Sequence, residues 1–345
     1  VGLVAIPSLE LHVAPKISLS HFVTLLQANG LGPRFDVGLG HLAQEDNLAV
    51  VIANWYMTAL EQVLEQGLSA DYEERREEIC SVRGRVSPID TARLYYRGRL
   101  TVVADFEEFA VDTPLNRLLA HAARIIASAQ PLPGSLRRRA IRSLARMDGV
   151  GELHPDDLQT AAPERRNTYY RDAALLAREV IRATGRTLSP GGHRSWTFLL
   201  RTPGLVEAGV REILKVGLEP IEVKKQRLEL KGTAMSVNPD LVFGSGIQTA
   251  DIKYKIGGGE WNRADLYEVV AFMVALNAEA GAIVTFRRSG SGQLPDVVFG
   301  DLPVRELSWR FGDDVSPEVA VEELVSQTES WLAETTPTAL SKPTC

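Results

Sequence analysis

Asn238-Pro239-Asp240-Leu241-Val242-Phe243, followed a short turn later by Thr249-Ala250-Asp251-Ile252-Lys253-Tyr254-Lys255, decides how this 345-residue chain is read. The two stretches predict a β-hairpin. The two-residue period of a strand puts Asp251 and Lys253 on one face and sends Ile252 into the opposite layer. Asp240, from the preceding strand, completes a small anionic pocket beside an ammonium. Metal-assisted phosphodiester hydrolysis requires such a set: hard oxygen ligands for Mg²⁺ and a cation near the attacking water.

Upstream, Leu205-Val206-Glu207-Ala208-Gly209-Val210 predicts a helix that aims Glu207 at Asp240 and Asp251 if it packs on the hairpin. Three converging carboxylates repel one another, so a divalent cation is expected among them. Asp240, Asp251 and the Ile252 backbone carbonyl would hold Mg²⁺, with Glu207 as auxiliary ligand, water filling the octahedron and Mn²⁺ able to substitute. Lys253 would hold the nucleophilic water or help to deprotonate it. Taken singly, an Asp before a strand is more often a turn former, and a helix glutamate is more often solvated. The weight lies in the order: helix glutamate, Pro-Asp strand, Asp-x-Lys strand, helix.

Lys255 shares the face of Asp251 and Lys253, and with Tyr254 it is a candidate DNA contact; a solvated strand-end lysine is the equal alternative. Arg138, Arg142 and Arg146 form one stripe of a predicted helix. They read as a patch for DNA or an acidic partner, against the plainer reading of a solvated face. Ile256-Gly257-Gly258-Gly259-Glu260 lacks the lysine and hydroxyl residue of a nucleotide-binding loop, so any NTPase activity is expected in another chain.

A net charge of −6 argues against binding nucleic acid by bulk electrostatics, so DNA contact must be local or shared. Cys80 and Cys345 are too few and too far apart for a zinc site or a disulfide framework, and the six histidines are scattered. With no signal peptide read at Val1–Ile6 and no apolar run of about 20 residues, the expectation is a cytoplasmic protein with no membrane partner.

The fold class expected is α/β, α+β overall. Residues 1–111 read as an N-terminal mixed domain, 112–192 as a helical connector ending at Ser189-Pro190-Gly191-Gly192, 193–334 as a C-terminal domain with a central mixed sheet flanked by helices, and 335–345 as a disordered tail. Strands are predicted at Leu3–Ile6, Leu9–Val13, Ile79–Val86, twice within Leu94–Phe109, and at Ile221–Leu230. Ser195–Val216 predicts a helix interrupted near Pro203-Gly204.

The ordered constellation resembles the PD-(D/E)xK nuclease superfamily. Asp251-Ile252-Lys253-Tyr254-Lys255 followed by Asp265-Leu266-Tyr267-Glu268 resembles, more narrowly, the McrC family, the nuclease subunits of McrBC-type modification-dependent restriction systems. Leu9-Glu10-Leu11 with Pro15-Lys16, Gly67-Leu68 then Tyr72, Val82-Arg83-Gly84, the Asp112–Asn116 helix opening and Phe198–Glu207 are similar to family landmarks in family order. The resemblance implies that Asp240, Asp251 and Lys253 are the catalytic residues and Glu207 the helix acid. The chain departs from the family pattern at Val206, in place of an aromatic, at Glu268, in place of a common glutamine, and at Phe272, in place of a tyrosine. It also implies a restriction-endonuclease-like C-terminal domain. It implies a partner too: McrB-like AAA+ GTPase hexamers that bind modified DNA, such as DNA with methylated cytosine, and license cleavage, docking on the first part of this chain. The alternative is a non-catalytic adaptor that keeps the nuclease fold and only activates the GTPase.

Overall fold

A computed structural model describes residues 1–6, 9–32, 47–161, 168–184, 196–230, 232, 234–256 and 259–335. In chain order the elements begin with β1 (Gly2–Ile6), β2 (Leu9–Val13), α1 (Leu19–Ala28), α2 (Leu48–Gln66), β3 (Asp71–Ile79), β4 (Arg85–Val86), α3 (Pro88–Tyr96) and β5 (Val102–Ala110). Helices α4 (Pro114–Ser128), α5 (Gly134–Ala145), α6 (Asp157–Thr160) and α7 (Arg171–Thr184) follow, and then β6 (Trp196–Leu199) and α8 (Thr202–Gly217). Short strands β7 (Val223–Lys224), β8 (Leu228–Glu229), β9 (Ser236–Val237) and β10 (Leu241–Phe243) lead to β11 (Gln248–Ile256). The chain continues through α9 (Arg263–Leu276), β12 (Ala280–Arg288), β13 (Val297–Phe299), β14 (Leu302–Phe311) and α10 (Pro317–Thr335).

Contacts sort the chain into two compact units. One is Gly2–Leu11 with Ala49–Leu199, and the other is Val1, His12–Leu48 and Leu200–Cys345. The partition does not follow the sequence boundaries: α1, early in the chain, belongs with the C-terminal elements. Gly209 on α8 explains why, since a Cβ there would stand 2.4 Å from the Leu25 carbonyl oxygen of α1. Only a glycine lets the two helix backbones approach so closely.

In the first unit, β3 pairs with β5 along its whole length, from Asp71↔Ala110 to Ile79↔Val102. The charged stretch is thus itself the strand, whereas Ile79–Val86 is mostly turn and Leu94–Tyr96 ends α3 instead of opening a strand. Cross-strand ion pairs such as Arg75–Glu108, at 3.1 Å, take the place of the apolar alternation that marks most strands. The α4 start is as predicted: Thr113 accepts the Asn116 N–H at 3.2 Å, with Pro114 in the first turn. Buried Asn116 then donates to the Ser69 and Val111 carbonyls and accepts from the Tyr170 hydroxyl. Trp196–Leu199 pairs with β1 as a strand instead of continuing a helix, and α8 starts afterwards with Pro203 in its first turn, where a missing N–H does no harm.

The second unit is built on a six-stranded mixed sheet of order β13-β14-β12-β11-β10-β7. The pairs β11/β12 and β12/β14 are parallel, and the others are antiparallel. The expected strand at Ile221–Leu230 is broken into the two-residue pieces β7 and β8. Leu266, Val269 and Met273 of α9 cover one face, against Ile283 and Val304. Tyr254, Phe286 and Trp309 form an aromatic chain on the other face, and His21 of α1 meets Trp309 edge-on. Ser189–Gly192, Gly257–Gly258 and residues 336–345 lie outside the described residues.

The Trp309 indole can only donate, so its 3.0 Å bond to His21 Nδ1 fixes the tautomer, and Nε2–H donates to the Val315 carbonyl at 2.9 Å. Burial depresses the His21 pKa, against the pull of the Val315 carbonyl and Glu318. The folded state therefore resists a proton that the unfolded chain accepts near 6.5. Stability contributed by neutral His21 is present above that pH and lost as pH falls through the depressed value. His21→Phe should lower stability at pH 8 by ~1–3 kcal/mol, since the buried Trp309 indole N–H loses its partner and the part-buried Val315 carbonyl loses one as well. The same variant should show a smaller further loss between pH 7 and pH 5 than the parent in urea denaturation; equal acid losses would show that His21 does not carry the effect.

Candidate active site

The geometry starts from register. In β10/β11, Leu241 lies opposite Ala250 and Val242 opposite Thr249, so one step further Asp240 lies opposite Asp251. Residues directly opposite in an antiparallel pair project to the same face. Asp240 Oδ2 accepts the Ile252 backbone N–H at 3.2 Å, which holds its carboxylate across the end of the pair. Thr249 Oγ1 donates to the Leu241 carbonyl at 2.9 Å and locks the same corner. Asp240 and Asp251 are both buried, and Ile252 turns into the opposite layer as the strand period predicts.

Lys253 Nζ lies 2.6 Å from Asp251 Oδ2 and 2.6 Å from Glu268 Oε2, on α9. The first contact is an ion pair without hydrogen-bond geometry, and Asp251 Oδ2 is left buried with no hydrogen-bond partner. Burial pushes the Asp251 carboxyl up to about 7, opposed by Lys253 and reinforced by the charges of Asp240 and Glu268. Burial would lower Lys253, but Asp251 and Glu268 outweigh it and hold the ammonium proton tightly. Lys253 in this state is a charge, and a poor base.

Glu207 does not converge with the two aspartates as the sequence predicts. It meets Lys225, which follows β7 at the margin of the sheet: Lys225 Nζ lies 2.8 Å from Asp240 Oδ1 and 3.2 Å from Glu207 Oε2. Burial disfavours the charged form of Lys225, but the two carboxylates more than compensate and raise its pKa. One turn beyond Glu207, Arg211 donates to the Asp240 carbonyl at 3.4 Å. Val206, where the family pattern carries an aromatic, is fully buried.

Lys255 is exposed and pairs with Asp265 at 2.9 Å. Tyr254 is turned to the opposite face, buried, its hydroxyl accepting the Lys16 N–H at 2.9 Å and its ring edge-on to Phe286. That placement removes it as a DNA contact; the alternation that brings Lys253 and Lys255 to one face takes Tyr254 to the other. Arg138 and Arg142 are exposed on α5 in the other unit. Arg146 does not belong with them, since it donates to the Leu64 carbonyl, and neighbouring Arg139 is spent on Glu61.

Among the described residues no three His, Cys, Asp or Glu side chains stand close enough to hold a metal ion. Two lysines stand between the acids instead, Lys225 between Glu207 and Asp240, and Lys253 between Asp251 and Glu268. The residues nevertheless fit a hard cation. Asp240 and Asp251 face one way, and their buried carboxylates already hold ammonium groups at 2.8 and 2.6 Å, so the oxygens present suit a hard cation. Sequence reasoning missed Lys225. The basic run Lys224-Lys225-Gln226-Arg227 was its signal, but nothing in that run tells which lysine reaches the acids; the bonds from Lys225 Nζ to Asp240 and Glu207 do.

The fold and site thus define a mixed α/β protein carrying a two-aspartate, one-lysine strand centre. The family model of the McrBC 5-methylcytosine restriction system component matches residues 1–286, and the chain belongs to that family. The chain is 21% identical over 243 residues to the type IV methyl-directed restriction enzyme EcoKMcrBC of Escherichia coli (strain K12), a match covering 64% of this chain and 70% of that protein. Its fold is similar to a chain of the refined half-complex from the tetradecameric assembly of Thermococcus gammatolerans McrB AAA+ hexamers with bound McrC. That likeness has a TM-score of 0.65 at 17% identity and covers 96% of this chain and 82% of the other. Among the described residues no helix is long and apolar enough to cross a membrane.

A raised carboxyl pKa carries a sign for stability. Asp251 holds its proton in the folded state up to about 7, whereas the unfolded chain releases it near 3.8. Stability is therefore lost as pH rises between those values. Asp251→Asn should therefore abolish the part of the stability loss that the metal-free parent shows as pH rises from 4 to 8, measured by urea denaturation in EDTA. An unchanged pH dependence in Asp251→Asn would overturn this account.

Proposed function

We propose that the C-terminal unit is a Mg²⁺-dependent DNA endonuclease of the PD-(D/E)xK type, the cutting subunit of a McrBC-like restriction system. The observation that carries this reading is the register that sets Asp240 opposite Asp251, with Lys253 two residues on. Asp240, Asp251 and the Ile252 carbonyl would hold the cation, with Glu207 as a further acid once its lysine partner moves. When bound, Mg²⁺ supplies charge neutralisation and an activated water for phosphodiester hydrolysis. Lys253, held charged by its carboxylate neighbours, orients the attacking water and offers positive charge to the scissile phosphate. Lys255, on the same face, would contact a neighbouring phosphate.

We place the chain with an McrB-like AAA+ GTPase hexamer as partner and DNA carrying 5-methylcytosine as substrate. Family membership supports this, and so does the bound McrB of the structurally similar complex. The acidic net charge fits a subunit that leaves DNA capture to its partner. An adaptor that stimulates the GTPase and cuts nothing draws on one observation: each aspartate is already paired with a lysine.

With partner, GTP, Mg²⁺ and methylated DNA, the parent should cut. Asp251→Ala should lower the cleavage rate by ~100-fold or more while leaving GTPase stimulation intact. Undiminished cleavage by Asp251→Ala would reject the site, and GTPase stimulation without cleavage by the parent would favour the adaptor.

A further inference from the structure

We propose that Lys225 is a tethered counter-cation which occupies the Glu207–Asp240 side of the site and must leave when a divalent cation binds. The inference rests on the reading of Asp240 and Asp251 as metal ligands. Asp240 commits Oδ2 to the Ile252 N–H, inside the hairpin, and Oδ1 to the Lys225 ammonium, on the outer side. Lys225 also takes the nearest further acid, Glu207. Its ammonium therefore lies where a cation shared by these two carboxylates would lie, and like charges cannot occupy one position.

The two lysines of the site differ in how they are held. Lys253 projects from β11 opposite Thr285 of β12, and its side chain is 17% exposed. Lys225 follows β7, the outermost strand of the sheet, and its side chain is 44% exposed. A half-exposed ammonium on a flexible four-carbon stem is a loose partner for its carboxylates. It neutralises Asp240 and Glu207 in the metal-free protein and yields to a doubly charged competitor. Once released at the rim, it stands beside the acids as a free positive charge, placed to meet a backbone phosphate. Lys225 is thus a positioning residue that acts through Asp240 and Glu207.

The test is Mn²⁺ binding to the full chain without DNA, GTP or partner, read from the electron paramagnetic resonance signal of free Mn²⁺. Lys225→Met should bind Mn²⁺ about 3- to 5-fold more tightly than the parent, the effect of removing a half-exposed ion pair. Lys224→Met removes the same charge one residue away, where the lysine pairs only with Glu222 at 2.8 Å, and should change affinity less than about 2-fold. Lys225→Arg keeps the charge and should stay near the parent. Equal gains in Lys224→Met and Lys225→Met would reduce the effect to bulk charge and overturn the proposal, as would an unchanged Lys225→Met. Asp240→Asn and Asp251→Asn separate this failure from failure of the underlying reading: if they weaken Mn²⁺ binding while Lys225→Met leaves it unchanged, the metal site stands and the role of Lys225 falls. If neither aspartate variant alters binding, the metal site itself falls.

Discussion

The bond from the Ile252 backbone N–H to Asp240 Oδ2 is the constraint on which the site depends. It takes a carboxylate that precedes a three-residue strand, where the ladder no longer dictates side-chain position, and ties it to the neighbouring strand beside Asp251. Without it the register would still bring the two Cα atoms together, but the Asp240 side chain would be free to turn to water. With it, two carboxyl groups that repel each other when ionised are held side by side in a buried corner. The rest of the site is a response to that repulsion.

The response takes the form of two lysines set among four acids. Lys253 and Lys225 each span a pair of carboxylates, so the acids are separated by ammonium groups in the metal-free protein. The compensation is incomplete, because burial pushes the Asp251 carboxyl up to about 7 in spite of Lys253. Such a group persists only where the surrounding structure over-determines it. Here β11 pairs with β10 as far as Ala250 and with β12 beyond it, and its Asp251, Ile252 and Lys253 sit opposite Ile283, Val284 and Thr285 of that mostly buried parallel neighbour. The sheet can bear a locally unfavourable charge because neither of its central strands can relax independently.

Much of this was legible in the sequence, and what was not has physical reasons. The hairpin, the facing of Asp251 and Lys253, and the helices α4, α9 and α10 follow from period and capping, which are local. Ser195–Val216 reads as one helix because the pairing of Trp196–Leu199 with β1 is nearly 200 residues distant in sequence, beyond any window of periodicity. Asp71–Ile79 showed no apolar alternation because its strand is held by charge pairs. Glu207 reads in the sequence as converging on the aspartates, yet its actual partner, Lys225, depends on which residue of an irregular edge reaches inward. That choice is made by tertiary pairing. The assignment of α1 to the C-terminal unit was hidden for the same reason, although Gly209 within an otherwise helical run marked a close backbone approach.

That assignment has a consequence for the site. The pairing of β11 with β12 shifts register between Lys253 and Ile256, an irregularity of the kind that re-aims side chains next to functional sites. Tyr254 sits in this interval, and the segment leading into α1 secures it. The Lys16 N–H donates to the Tyr254 hydroxyl, while Lys16 Nζ donates to the Tyr254 carbonyl at 3.1 Å and lies over its ring. A residue more than 200 positions upstream thus holds the interval between Lys253 and Lys255, and with it the direction in which both ammonium groups leave the strand. The Pro15-Lys16 landmark, legible in the sequence only as resemblance, has this physical content: it pins the irregular end of the strand that carries the candidate site.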